Sequence, residues 1–163
     1  MKALVRRGKT RTIGLSNFSI ADLKGVMPEA QDIPISCNQI EVHPWLPQNE
    51  LIAFGKEYGI LTTCYSPFAG QQKDGVTLVK DKAVIKLAKK NDMDVGQLLQ
   101  SWGVCRGTVP LGKSSTTSRI KSNLDVRALG DEDIKALDAL AKPGDEGRTI
   151  DSREDWGVAL FSN

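Results

Sequence analysis

Residues 35–65 read ISCNQIEVHPWLPQNELIAFGKEYGILTTCY, and this stretch decides the architecture. It opens on one apolar run, Ile35-Ile40, and ends on another, Ile60-Tyr65, each of strand length and bounded by turn or capping residues. Between them Asn49 stands where a helix start needs a capping side chain. Leu51, Ile52, Phe54 and Tyr58 follow at helical spacing, and Gly59 closes the helix in the left-handed conformation open to glycine. Strand, helix and strand joined by short links make the unit of a parallel sheet.

The alternation extends in both directions. Upstream, Arg11-Leu15 reads as a strand, and Ser19 with Asp22 three places on starts the helix Ile20-Val26, which Pro28 ends. Downstream, Asp81 opens a helix carrying Val84, Ile85, Leu87 and Ala88. Asp94 opens another with Val95, Leu98, Leu99 and Trp102 on one face, and Thr108-Leu111 is the fourth strand. Thr116 begins a helix with Ile120 and Leu124, and the last helix, Asp131-Lys142, places three acids at its positive end before Pro143 and Gly144 stop it. A tail with Trp156 and Phe161 follows. The expectation is one α/β domain over residues 1–163, four parallel strands with helices outside and a helical C-terminal extension. Four strands do not close a barrel, and a parallel sheet is covered on both faces, so the uncovered face and the two sheet edges predict a homo-oligomer, a dimer or higher.

Composition narrows the function. The 163 residues carry 22 Lys and Arg against 20 Asp and Glu, a formal charge of +2 too balanced to steer nucleic acid by net field. No apolar run exceeds five residues, far below the roughly 20 that cross a bilayer, and the start MKALVRRGKT lacks a signal-peptide core, so the chain reads as cytoplasmic with no membrane partner. Cys37, Cys64 and Cys105 form no C-x-x-C pair and His43 is the single histidine, which leaves no material for a metal site and little for a Ser-His-Asp hydrolase.

The polar residues gather at the strand ends. Ser16-Asn17-Phe18 follows the first strand, Asn38-Gln39-Ile40-Glu41 ends the second, Tyr65-Ser66-Pro67 ends the third and Lys113-Ser114 follows the fourth. That rim is where βα folds bind ligands. Amides and hydroxyls there suit a carboxamide or a sugar, and the Tyr65 ring offers a face for stacking; each residue alone is also an ordinary turn residue. Residues 113–119, KSSTTSR, present hydroxyls, helix-start N–H groups and two cations, an anion site that reads equally well as an N-cap with solvated charges.

At IGLSNF, NQIEVHPWLPQNEL, CYSPFAG and LGKSSTTSRIKSN the chain resembles the aldo-keto reductases, in that family's order and spacing, from about Arg7 to the WGVALF tail. The likeness covers the family's second half and implies half of a TIM (β/α)8 barrel that binds NADP(H). Carried over, Ser16, Asn17 and Gln39 would hold the nicotinamide carboxamide and Tyr65 would stack on its ring. Ser66 and Phe68 would lie along the pyrophosphate. Lys113, Ser114, Thr116 and Arg119 would grip the adenosine 2′-phosphate, and Asn123 would touch the adenine. Two departures stand out: Gly112 replaces the proline usual before that lysine, and Ser122 the acid usual before Asn123.

The Asp, Tyr, Lys and His tetrad that reduces carbonyls in this family comes from its first half, and these residues do not include it. Without a positioned acid, proton delivery worth roughly 10²–10⁴-fold is missing. The remaining catalytic candidates are His43, Glu41, Cys64, Tyr65 and Lys113: a Cys64–His43 thiolate pair, a Glu41 base, or Lys113 as acid or anchor. Each also has a structural reading, as a core thiol, a structural ion pair or a phosphate ligand. Three functions of different class follow. The first is an oligomeric enzyme turned to non-redox isomerisation, cyclisation or dehydration of a small molecule in secondary metabolism. The second is an NADP(H)-dependent carbonyl oxidoreductase completed by another chain or a new proton donor. The third is a nucleotide- or protein-binding pseudoenzyme.

Overall fold

The computed structural model describes residues 1–70, 72, 75–151 and 157. In chain order the elements are α1 (Lys2–Arg6), β1 (Ile13–Ser16), α2 (Ile20–Val26), β2 (Ile35–Glu41), α3 (Asn49–Glu57), β3 (Leu61–Tyr65), α4 (Lys82–Lys90), α5 (Val95–Cys105), β4 (Val109–Pro110), α6 (Thr117–Leu124) and α7 (Asp131–Asp138). Short 3₁₀ turns cover Met27–Ala30 and Leu78–Lys80. The strands are parallel and pair in the order β1-β2-β3-β4, the α/β arrangement expected from the alternation. Between β1 and β2 the register slips, with Ile13 opposite Ile35 and Leu15 opposite Asn38. Gly14 sits at the slip because a side chain there would run into Cys37. No helix of the described residues is long and apolar enough to cross a membrane.

The start signals hold where they are local. Ser19 and Asp22 form a reciprocal capping box on α2, Asp81 accepts from Ala83 N and Val84 N, and Asp94 accepts from Gln97 N. Gly59 takes φ +69 behind α3 as expected. α2 spans Ile20–Val26 as expected, and Pro28 lies inside the first turn of the 3₁₀ segment after it, where its missing N–H has no helical partner to lose. Other boundaries differ: β1 starts at Ile13 rather than Arg11, and β4 is only Val109–Pro110 within the expected Thr108-Leu111. Asn49 is the first residue of α3, and Gln48, left-handed at φ 53, is its N-cap. The last helix stops at Asp138 because Leu140 N and Ala141 N fold back onto carbonyls three residues earlier and Lys142 N bonds to the carbonyl of Trp45. Trp156 and Phe161 of the tail lie outside the described residues.

The backbone divides into two compact units. In the first, residues 1–40 and 48–63, Leu23, Ile35, Phe54 and Ile60 form a buried cluster flanked by Leu15, Phe18, Ile20 and Leu51. In the second, residues 41–47 and 64–151, Leu78, Val84, Leu98, Leu99, Trp102 and Leu137 are fully enclosed, and Trp102 Nε1 donates to Asp138 Oδ1 at 2.8 Å to tie α5 to the end of α7. Gly147 of this unit packs against the backbone of Trp45 so closely that a side-chain methyl would land on the Trp45 carbonyl. Gly147→Ala is therefore expected to destabilise the protein by about 1–3 kcal/mol, read as a lower urea midpoint with an unchanged slope.

Candidate functional site

A cleft of about 400 Å³ opens in the second unit, lined by Phe68, Val79, Asp94, Val95, Gly96, Lys113, Ser114, Arg119 and Asn123. Besides Phe68 from the loop after β3 and Val79 from the 3₁₀ turn Leu78–Lys80, three segments build it. The chain leaving β4 carries Lys113 and Ser114, α6 supplies Arg119 and Asn123, and the capped start of α5 supplies residues 94–96. Gly96 lets the Asn123 amide approach, since a Cβ there would stand 2.7 Å from Asn123 Oδ1 and 3.3 Å from Asp94 Oδ1. Gln97 Nε2 holds the far end of α6 through Asp125, donating to its carbonyl at 2.7 Å and to its carboxylate at 2.8 Å.

The electrostatics favour an anion. Among the described residues neither Lys113 nor Arg119 forms an ion pair, while Asp94 spends one oxygen on the α5 cap. Thr116 occupies the N-cap position of α6 as expected, yet its side chain caps nothing. The first-turn N–H groups of α6 therefore lack the side-chain acceptor that usually satisfies them, beside two cations. Ser114 Oγ accepts from Thr116 N at 3.1 Å and fixes the turn into the helix. Phe68 forms one wall and packs beneath Gly112, where a Cβ would collide with the Phe68 ring and the Gln100 amide. The Gln100 side chain occupies the space that a larger residue at position 112 would need.

The remaining expected ligand residues sit at strand ends. In the first unit Ser16 Oγ donates to the Gln39 carbonyl at 2.9 Å, Asn17 N donates to the same oxygen at 2.9 Å, and Asn17 is left-handed at φ 62. Asn38, which is buried, donates through Nδ2 to Phe18 O at 2.8 Å and so locks this turn. The half-buried Gln39 amide makes no hydrogen bond among the described residues. In the second unit Tyr65 ends β3, and Ser66 and Ala69 both adopt positive φ in the loop that follows.

The acid–base candidates lie elsewhere. Glu41 and His43 are fully buried and joined, His43 Nε2 lying 2.9 Å from Glu41 Oε1. Burial pushes the Glu41 carboxyl up, but hydrogen bonds from His43 and Thr149 outweigh it and leave the group below its ordinary value. Cys64 is enclosed, and burial pushes its thiol up, so it is a core thiol at neutral pH and makes no thiolate pair with His43. Among the described residues no cluster of His, Cys, Asp and Glu has the makings of a metal site.

A family model described as Aldo/keto reductase family matches residues 1–142. The chain belongs to that family. It is 42% identical to an aldehyde reductase of Saccharomyces cerevisiae over 159 residues, 96% of this chain and 49% of that protein. A glycerol 2-dehydrogenase (NADP(+)) of Hypocrea jecorina is 41% identical, over 99% of this chain and 51% of its own length. Among solved structures, an aldo-keto reductase of Bombyx mori in complex with NADP superposes with a TM-score of 0.84 at 32% identity, over 96% of this chain and 52% of that one. The chain spans about half the length of the curated relatives it matches, and its four parallel strands are half of the relatives' barrel. Within this aldo-keto reductase fold the cleft collects Phe68, Lys113, Ser114, Arg119 and Asn123 from the expected set. Thr116, Tyr65 and Ser66 are not in its lining, and Ser16, Asn17 and Gln39 belong to the first unit. Sequence reasoning missed Val79, Asp94, Val95 and Gly96; the available signal was Gly96, a poor helix former placed one residue into the apolar stripe of α5.

Proposed function

We propose that this chain binds NADP(H), with the adenosine 2′-phosphate in the cleft beside Lys113 and Arg119, and forms the coenzyme-holding part of a carbonyl–alcohol oxidoreductase. The observation that carries this reading is the N-terminus of α6, which among the described residues has no side-chain cap and lies beside two cations without an ion-pair partner, an arrangement that suits a phosphate dianion in charge and in donor geometry. Phe68 supports the adenosine side, and the Asn123 amide offers both a donor and an acceptor to the base. The dihydronicotinamide of the bound coenzyme supplies hydride. In the same unit as the cleft, the Tyr65 ring offers it a stacking face.

Reduction also needs a proton. Glu41, His43 and Cys64 are enclosed and reach no substrate, and Lys113 is assigned to the anion. In this reading the proton donor comes from groups other than these 163 residues. A non-redox conversion would equally need an acid or base, and what supports hydride transfer over it is the family's NADP-dependent oxidoreductases.

Calorimetric titration of the folded protein with NADPH, NADH and 2′,5′-ADP tests the proposal. NADPH is expected to bind more tightly than NADH, and 2′,5′-ADP to compete with it. Absence of binding at about millimolar NADPH by protein with a native circular dichroism spectrum would overturn it. Tyr65→Ala should weaken NADPH by about fivefold to a hundredfold, the range of a lost aromatic stack, and leave 2′,5′-ADP nearly unchanged.

A further inference from the structure

The loop that follows β3 carries Ser66 and Phe68, and its backbone is costly to hold: Ser66 and Ala69 adopt φ of 50 and 54 without being glycine. One hydrogen bond inside the loop, Ala69 N to Ser66 O at 2.8 Å, closes the turn. At its far end Gly70 N donates to Thr149 Oγ1 at 2.8 Å, and the absence of a Cβ at Gly70 lets Thr149 come that close.

The Thr149 hydroxyl has a single proton, and it goes the other way, to Glu41 Oε1 at 2.6 Å. Glu41 Oε1 also accepts from Thr149 N at 2.8 Å, and Oε2 accepts from Ile150 N at 3.3 Å. Arg148 Nη1 lies 3.7 Å from Oε2 and His43 Nε2 is 2.9 Å from Oε1. The fully buried carboxylate at the end of β2 thus orients one hydroxyl so that its lone pairs face Gly70. Only a side chain that donates and accepts from the same atom completes this relay.

We propose that Thr149 is a positioning residue for the coenzyme: it presets the loop over residues 66–70, so that coenzyme binding and anchorage of the segment 148–150 are coupled. This rests on the NADP(H) reading for the loop's ligand. Linkage then runs both ways, and bound NADPH protects the backbone amides of Thr149 and Ile150 as Thr149 favours NADPH.

The test compares the wild-type protein with Thr149→Val, which keeps the shape and loses the relay, and Thr149→Ser, which keeps the hydroxyl. Without coenzyme, amide hydrogen exchange in a peptide spanning 66–70 is expected to accelerate about tenfold in the valine variant, with peptides of α4 and α5 unchanged and serine near wild type. NADPH affinity is expected to fall about fivefold to twentyfold in the valine variant and to return with serine. Exchange in 66–70 at the wild-type rate in the valine variant, or no rescue by serine, overturns the inference. Should the valine variant fail to fold, the wild-type protein decides: unchanged exchange at Thr149 and Ile150 on saturation with NADPH overturns it. Wild-type protein that binds no NADPH overturns the coenzyme reading and the coupling with it, while exchange in the variants still shows whether Thr149 holds the loop.

Discussion

Glu41→Ala is expected to lower folding stability by about 3–5 kcal/mol, the range for breaking a buried charged pair from one side. The carboxylate accepts from Thr149 N, Thr149 Oγ1, Ile150 N and His43 Nε2, and all of these donors would lose that acceptor. His43 is already short of partners, since its Nδ1 is buried without one among the described residues. The same carboxylate makes stability depend on pH. Its value in the folded protein lies below the ordinary 4.5, so the stabilisation is complete above that value and drains away as the pH falls through the lower folded one. Glu41→Gln should flatten this acid limb. Urea unfolding at neutral pH and down to about pH 3 measures both effects; an alanine variant within about 1 kcal/mol of wild type would show that the cluster contributes little.

Lys113→Ala is expected to weaken NADPH binding about tenfold to a hundredfold, the loss of a charge-assisted contact to phosphate, while changing NADH binding little. The asymmetry is the informative part. NADH lacks the 2′-phosphate, so a cation devoted to that group has nothing to lose with it, whereas a general disturbance of the cleft would weaken both nucleotides. Arg119→Ala should act in the same direction, and NADPH affinity should fall with added salt more steeply than NADH affinity because both side chains are exposed. Equal weakening of the two nucleotides would place the phosphate somewhere other than beside α6.

The strand–helix alternation, the capping box at Ser19 and Asp22, the Asp81 and Asp94 caps and the Gly59 stop were all legible in the sequence. Each is a contact between groups a few residues apart, which the local chain makes wherever it is placed. The motif residues Lys113, Ser114, Arg119 and Asn123 were legible for a related reason, because they lie along one turn and one helix that bring them to the same cleft. The opposite wall was not. Asp94 and Gly96 read as an ordinary helix start, and only the packing of α5 on α6 turns that start toward Asn123. The end of α7 was misjudged because a carbonyl at Trp45 takes the amide of Lys142, and no pattern near Lys142 announces it. Glu41 and Thr149 are the extreme case. A lone acid at a strand end and a threonine near the tail are ordinary as letters 108 positions apart, and their relation exists only once the chain path has brought the threonine onto the buried acid. Local geometry is encoded in neighbours; a buried polar network is decided by which distant groups are desolvated together, and that is a property of the tertiary structure alone.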